Sequence, residues 1–226
     1  MARSAGAIRR LENGDRLTRA EFERRYEAMP NLKKAELIEG VVYVPSPVRL
    51  DQHGAPHAAM VGWAVVYSAA TPGIVVGDNA TVRLDLDNEP QPDVLLRAAS
   101  HGRSTVDPDG YVEGAPELVV EIAASSVSYD LHAKLAVYRR SGVREYVVWR
   151  VLDDAIDWFV LTEGEYVRTE PDSSGICRSQ VFPGLWLNVP AMLAGDLSTA
   201  LQTLNEGLAS PEHGQFLAER GGSGQG

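Results

Sequence analysis

The sequence predicts a mixed α/β (α+β) domain in which a central β-sheet is flanked by helices and followed by a C-terminal helix. Residues 118–123 (LVVEIA) form an almost unbroken apolar run, which is the pattern of a central strand. Residues 58–70 carry no charge and have the apolar content of a buried helix. Helical and strand patterns follow one another in the order helix, strands, helix, strands, which is typical of a mixed sheet with flanking helices.

The composition favours one folded domain of ordinary size. The chain has 226 residues, of which 44 % are hydrophobic and 23 % charged, so it can bury a sizeable core. Its net charge of −10 argues against a protein that coats nucleic acid through dense lysine and arginine. One cysteine, Cys177, makes no intrachain disulfide, and the polar N-terminus lacks a secretory signal. We therefore expect a cytoplasmic protein without a membrane partner.

The N-terminal part is basic, with nine bases against five acids in the first 34 residues. We interpret residues 1–17 as a flexible basic tail, and an arm that binds nucleic acid is the alternative. Thr18 and Glu21 then fit a capping box at the start of a helix. Residues 36–44 (ELIEGVVYV) are rich in β-branched residues and predict a strand, or a hairpin that turns at the glycine.

The central part of the chain predicts short strands, a surface loop and one further helix. The strands are expected at residues 74–76, 80–86, 94–97, 145–150 and 156–161. The loop is expected at residues 99–116, where glycine and proline accumulate. Residues 129–140 predict a helix because Leu131, Leu135 and Tyr138 fall on one face.

The C-terminal part predicts an amphipathic helix at residues 191–210. Its apolar stripe consists of leucines at spacings of three and four, namely Leu193, Leu197, Leu201, Leu204 and Leu208. Core packing is the default role of such a stripe; a dimer contact is the alternative, from which we predict a homodimer. The glycine-rich end predicts disorder over residues 211–226, which leaves residues 18–190 as the main domain.

Several kinds of active site are excluded by missing motifs. None of the three lysines follows a glycine, so there is no Walker A loop, and neither GxGxxG nor GxSxG occurs. His53 and His57 have a spacing that zinc ligands can have, but Gly54 and Pro56 separate them and no third ligand is evident.

Two acids in apolar surroundings remain as candidates. Asp93 follows Pro92 and opens an apolar segment, and Glu121 lies inside the LVVEIA strand. A buried acid costs several kcal/mol unless it is paired or bound to a metal. A structural ion pair with an arginine is the alternative for Glu121, and a simple turn is the alternative for Asp93.

Lys134 is the third candidate because the chain has eighteen arginines and only three lysines. A lysine on the helix after the Glu121 strand suggests a need for its compact ammonium, although it also lies four residues after Asp130 and suits an ion pair there. Glu39 in ELIEG is a fourth candidate, and an exposed acid of a hairpin is the alternative. Two acids on adjacent strands and a lysine are what metal-dependent phosphodiester cleavage requires, since carboxylates hold Mg²⁺ and an ammonium stabilises developing charge.

At these residues the sequence resembles the Uma-two-type family of restriction-endonuclease-like proteins in the PD-(D/E)-x-K nuclease superfamily. The similar segments run in the family's order from about Thr18 to Leu187. They are ELIEGVVYVPSP (36–47), His57 with residues 58–61, QPDVLL (91–96), PELVVEIAASS (116–126), DLHAKLAVYRRSGVREYVVW (130–149) and FPGLWL (182–187).

The resemblance implies a restriction-endonuclease-like core, Mg²⁺ or Mn²⁺ as cofactor, and DNA as substrate. It implies that Asp93 and Glu121 are metal ligands, with His57 as a possible auxiliary residue. The lysine of the E-x-K signature would fall at Ala123, and the family pattern suggests that its function has moved to Lys134; Glu39 matches the acid of the early motif. A catalytically silent binding or assembly protein and a metal-dependent hydrolase of a small phosphoester are the alternative functions.

Overall fold

The computed structural model describes residues 8–45 and 49–222. Its helices are α1 (Arg19–Glu27), α2 (Ala55–Ala70), α3 (Val127–Tyr129), α4 (Leu135–Ser141), α5 (Val189–Leu193), α6 (Leu197–Leu208) and α7 (Pro211–Gly222). Its strands are β1 (Glu36–Ile38), β2 (Val41–Tyr43), β3 (Ile74–Asp78), β4 (Val82–Arg83), β5 (Val94–Ala98), β6 (Thr105–Val106), β7 (Val112–Glu113), β8 (Leu118–Ala123), β9 (Glu145–Arg150), β10 (Ala155–Thr162), β11 (Glu165–Thr169), β12 (Ile176–Arg178) and β13 (Trp186–Asn188). Two π-helical turns, Leu50–Gly54 and Asp130–Lys134, directly precede α2 and α4.

The central sheet confirms the predicted mixed topology, with the strand order β11-β10-β9-β8-β5-β3. β8 and β9 are parallel, and the other neighbouring pairs are antiparallel. Parallel neighbours need a long crossover connection. The helical segment from α3 to α4 supplies it, so the strand with Glu121 is followed at once by the helix with Lys134.

Alternate residues of β8 pack against different helices, because successive side chains of a strand point to opposite faces. Leu118 and Val120 belong to the larger core, which contains residues of α2, α5 and α6. Val119 belongs to a second core with Tyr138 of α4. Glu121 follows Val119 by two residues, so its side chain points to the same face of the sheet, the side of α4.

Helix α2 is the buried helix that the uncharged segment predicted, and it begins three residues earlier than expected, at Ala55. Met60, Trp63 and Tyr67 are buried in the larger core, and the Trp63 indole donates a hydrogen bond to the Trp186 carbonyl at 2.9 Å. Across the two described stretches of chain, no helix combines the length and the apolarity that crossing a bilayer requires.

Residues 8–17 pack on the β1–β2 hairpin, so the flexible tail predicted for residues 1–17 is wrong for its described part. Leu11 is buried beside the hairpin, and the Val42 N–H donates to the Asp15 carbonyl at 2.8 Å. Apolar contacts and backbone pairing therefore order this basic segment. Residues 1–7 of the predicted tail lie outside the described residues.

The predicted capping box at the start of α1 does not form. Thr18 is the N-cap residue, but its side chain makes no capping hydrogen bond. The Glu21 carboxylate instead binds Arg24 at 2.8 Å and Arg25 at 2.6 Å.

Several short strands were not predicted or differ in length. The strand expected at residues 80–86 is limited to β4, and the loop expected at 99–116 contains β6 and β7, which join β4 in a small sheet. The hairpin from β10 to β11 turns at Glu163 and Gly164, whose φ angles are 50° and 85°. Strands β4, β6 and β7 have two residues each, and β11 is largely exposed, so none of them gives a clear sequence pattern.

The leucine stripe packs mainly on the larger core. The predicted helix is divided into α5 and α6 at Gly195, which has a φ of 72°. Leu204 is fully buried, and Leu193, Leu201 and Leu208 pack against the same core. Core packing therefore accounts for most of the stripe, and the homodimer stays a prediction.

Helix α7 occupies most of the segment that was predicted to be disordered at 211–226. Ser210 caps its first turn by accepting the His213 N–H at 3.3 Å. The His213 ring is buried and bonds the Leu208 carbonyl at 2.9 Å and the Thr71 hydroxyl at 3.0 Å. The prediction of disorder is wrong for residues 211–222, because the buried His213 and Phe216, which packs against the larger core, anchor the helix. Residues 223–226 are not described.

Glu145, at the start of β9, ties the sheet to the segment before β13. Its carboxylate accepts hydrogen bonds from the Ser179 hydroxyl and the Gln180 N–H, each at 2.6 Å. The residue is completely buried, and burial raises the pKa of its carboxyl to about 7 despite these bonds.

This pKa predicts that Glu145 lowers stability as the pH rises. A carboxyl with a higher pKa in the folded state favours folding below its unfolded pKa, and that contribution is lost as the pH rises through about 7. Between pH 4.5 and 8 the loss is on the order of 3 kcal/mol. In urea denaturation, the stability difference between the wild type and Glu145→Gln should therefore shift in favour of the variant from pH 5 to pH 8.5.

The matched control is Glu206→Gln, which removes an exposed acid from α6. A stability difference for Glu145→Gln that is the same at both pH values would contradict the prediction.

Candidate active site

Asp93 and Glu121 face each other at the end of the β5–β8 ladder. Val94 pairs with Val120 in this antiparallel register, so Asp93 and Glu121 form the next pair along the strands. Asp93 Oδ2 accepts the Ile122 N–H at 2.8 Å, which fixes that carboxylate against β8. Each residue is 3 % exposed. Glu121 lies in β8, and Asp93 directly precedes the neighbouring strand β5.

Lys134 brings its ammonium to Glu121 from the π-helical turn before α4. Nζ donates to Glu121 Oε1 at 2.9 Å and also lies 2.9 Å from Glu36 Oε1. Asp130 Oδ1 is 3.7 Å away, so the ion pair with Asp130 exists beside the contact with Glu121. Lys134 therefore contacts both Glu121 and Asp130, and its catalytic role stays a prediction.

Tyr138, one turn after Lys134, holds the same oxygen of Glu121. Its hydroxyl donates to Glu121 Oε1 at 2.9 Å. Because Lys134 and Tyr138 both reach Oε1, neither of them engages Oε2. Glu121 is thus oriented by two fixed donors while its second oxygen is left for another partner.

Glu36, and not Glu39, is the acid of the ELIEG segment that joins the cluster. Glu36 is buried, contacts Lys134 and accepts the Gln91 N–H at 2.7 Å. Glu39 lies in the hairpin turn with a φ of 53°; its side chain is 51 % exposed and binds Arg140 at 2.8 Å. The prediction of Glu39 as a site residue is therefore corrected, because the turn directs its side chain to solvent.

Lys34 and His53 surround the other oxygen of Asp93. Lys34 Nζ lies 3.1 Å from Asp93 Oδ1, and His53 Nε2 lies 3.6 Å from it. Burial alone would raise the pKa of Asp93, but Lys34, His53 and the Ile122 N–H outweigh it and hold that pKa below its usual range. Neither Lys34 nor His53 was predicted as part of the site.

His57, the predicted auxiliary residue, lies beside the cluster. Its Nε2 is 3.0 Å from the backbone carbonyl of Asp93 and 3.0 Å from Asp78 Oδ1. His57 therefore supports the backbone at Asp93 and does not contact the Asp93 carboxylate. Its ring lies next to His53, with 5.4 Å between the ring centres.

The buried cluster around Asp93 and Glu121 contains more acids than bases. Four acids lie beside two lysines: Lys134 contacts Glu36, Glu121 and Asp130, and Lys34 contacts Asp93. Burial raises the pKa of Glu121, with Asp93, Asp130 and Glu36 acting in the same direction. Burial alone would lower the pKa of Lys134, but Glu121, Glu36 and Asp130 outweigh it and hold that pKa well above its usual value, so the ammonium stays protonated. This excess of negative charge would be relieved by a divalent cation.

The donors present fit a cation that keeps part of its water shell. In the described part of the chain, no three His, Cys, Asp or Glu side chains converge as a complete metal cage. Mg²⁺ typically binds through one or two carboxylates, with waters and substrate phosphates completing its shell. Asp93 and Glu121, which face each other at the end of the β5–β8 ladder, supply two carboxylates of the kind that this mode requires.

The contacts of Lys134 predict that Lys134→Met destabilises the protein strongly. Removing a buried ammonium leaves Glu121 and Glu36 without their cation, which should cost about 3–5 kcal/mol of unfolding free energy. The double variant Lys134→Met/Glu121→Gln should recover part of this loss. Urea denaturation at pH 7 measures both.

Arg140→Met is the control, because Arg140 forms an ion pair with the exposed Glu39 and little change is expected. If Lys134→Met loses no more stability than Arg140→Met, the pairing of Lys134 does not stabilise the fold.

Comparison with known proteins connects this arrangement to a family. The model of the Uma2 family, described as "Putative restriction endonuclease", matches residues 19–190. The fold is similar to a crystal structure of "a putative nuclease belonging to DUF820" from Anabaena variabilis ATCC 29413. That match has a TM-score of 0.56 and 13 % sequence identity, and it covers 76 % of this chain and 97 % of the other. Among curated proteins, none matches the chain.

The structural likeness confirms the predicted fold class. At 13 % identity it concerns the fold alone. The family model spans the hairpin with Glu36, both strands that carry Asp93 and Glu121, and the turn with Lys134. The chain belongs to the Uma2 family.

Proposed function

We propose that the protein is an endonuclease that hydrolyses DNA phosphodiester bonds with Mg²⁺ or Mn²⁺ as cofactor. The observation that carries the proposal is the pairing of Asp93 and Glu121 at the end of adjacent strands, with the Lys134 ammonium 2.9 Å from Glu121. Membership of a family described as "Putative restriction endonuclease" supports it.

Asp93 and Glu121 are the residues assigned to hold the cation. When bound, the cation would polarise the phosphate and lower the pKa of a bound water. Asp93 is fixed by the Ile122 N–H, and Glu121 by Lys134 and Tyr138, so both carboxylates are positioned before substrate arrives. Such preorganisation reduces the reorganisation that the reaction would otherwise require.

Lys134 is assigned to charge stabilisation and not to general base catalysis. Its ammonium is surrounded by Glu36, Glu121 and Asp130, which favour the protonated form. A protonated lysine donates hydrogen bonds and cannot accept a proton. In this role Lys134 positions Glu121 and would supply positive charge to the site.

A metal-dependent hydrolase of small phosphoesters is the second candidate. The observation that favours it is the net charge of −10, because a long DNA duplex gains most of its affinity from many basic contacts. A small phosphoester could bind through the cluster alone, without a wider basic surface.

The proposal predicts cleavage that depends on the two strand acids. With Mg²⁺ or Mn²⁺, the wild type should nick supercoiled plasmid, and Asp93→Asn or Glu121→Gln should reduce the rate by on the order of 10²–10³. Plasmid, a single-stranded oligonucleotide and small nucleotide esters are assayed in parallel, so that polymer and small-molecule activity are separated.

Glu39→Gln is the matched control, because Glu39 lies in the same hairpin as Glu36 but outside the cluster, and it should retain the wild-type rate. Cleavage that survives Asp93→Asn unchanged would refute the assignment. Hydrolysis of small esters without cleavage of either polymer would favour the second candidate.

A further inference from the structure

Lys34 lies in the loop before β1 and places its ammonium at the mouth of the cluster. Nζ is 3.1 Å from Asp93 Oδ1 and 3.1 Å from Asn79 Oδ1. The side chain of Lys34 is 23 % exposed, whereas that of Asp93 is 4 % exposed. The ammonium therefore lies between solvent and a carboxylate that is otherwise enclosed.

The two oxygens of Asp93 have different partners. Oδ2 is bound to the Ile122 N–H at 2.8 Å, so β8 already holds it. Oδ1 faces Lys34 and, more distantly, His53. Oδ1 is thus the oxygen that can be offered to a cation, and in the structure described here an ammonium occupies that position.

We propose that Lys34 holds the place of the divalent cation at Asp93 in the metal-free protein and turns out to solvent when the cation binds. The inference rests on the proposed function, because it takes Asp93 as a ligand of that cation. An ammonium and a divalent ion at the same oxygen repel each other, so binding of the cation weakens the contact between Lys34 and Oδ1.

The position of Lys34 in the chain suits such an exchange. It precedes β1 and belongs to neither a helix nor a strand, so its four-carbon side chain can rotate without moving an element of the sheet. Without the cation, the ammonium neutralises a buried carboxylate whose isolation would cost several kcal/mol. Lys134 has no comparable freedom, because it is 3 % exposed and contacts three acids.

Chemical labelling of amines can test the exchange directly, since the chain has only three lysines. The full chain is treated with an amine-reactive acylating reagent, with and without saturating Mn²⁺, and the rate at each lysine is read by tandem mass spectrometry. Lys33 is exposed and serves as the internal standard for free reaction. Lys134 serves as the standard for a buried amine.

The expected result is that Mn²⁺ accelerates labelling of Lys34 relative to Lys33 by about fivefold, the equivalent of releasing one partly exposed ion pair. In Asp93→Asn, Lys34 should react at the faster rate with or without Mn²⁺. Labelling of Lys34 that is unchanged or slower with bound Mn²⁺ would overturn the proposal.

The affinity for Mn²⁺ gives a second readout that does not depend on catalysis. Removing the competing ammonium in Lys34→Gln should tighten Mn²⁺ binding by about tenfold in calorimetry, whereas Lys33→Gln, which removes the same charge from the neighbouring residue, should change it by no more than about twofold. Equal effects of the two variants would overturn the exchange.

The two proposals fail in different ways. If the wild type binds no Mn²⁺, or if the Asp93→Asn variant binds it equally well, both the metal site of the proposed function and the exchange are refuted. If Mn²⁺ binding requires Asp93 but Lys34 labelling does not respond, only the exchange is overturned.

Discussion

The burial of four carboxylates beside two lysines is the constraint on which the rest of the structure depends. Glu36, Asp93, Glu121 and Asp130 are each no more than 5 % exposed. A buried charge without a partner costs several kcal/mol, so every one of these groups has to be met by a donor. The loop before β1, the hairpin, the ends of β5 and β8 and the turn before α4 are therefore held in one arrangement. The fold positions the site, and the site's charges in turn limit how these elements can move.

Two π-helical turns deliver residues to this cluster. Leu50–Gly54 carries His53, and Asp130–Lys134 carries both an acid and the buried lysine. A π turn inserts a residue into the helical repeat, which redirects the side chains at its end, and such turns are frequent at functional sites. Each turn runs directly into a regular helix that packs on the sheet, so the irregular geometry is confined to the end that faces the cluster.

The sequence was sufficient to predict those site residues that stand out from their neighbours along the chain. Glu121 stands out as a lone acid in an apolar strand, and Lys134 as a rare lysine in a chain that otherwise uses arginine. Glu36, Lys34 and His53 could not be found in this way, because their roles come from contacts with residues 40 to 98 positions away. The choice between Glu36 and Glu39 depends on the φ angle of a turn residue, which a strand pattern does not reveal. The long apolar strands were predictable because their pattern is visible within a few neighbouring residues, whereas β6, β7, β12 and β13 depend on tertiary pairing.

Strand β11 has a consequence for solubility. It forms one edge of the central sheet and pairs only with β10 among the described strands, so its outer backbone groups could template another chain. Glu165 and Arg168 place opposite charges along this edge, and Val167 is half-exposed between them. Charges of this kind discourage edge-to-edge association. Neutralising these two charges would make this edge prone to aggregation without changing the acidic cluster at β5 and β8.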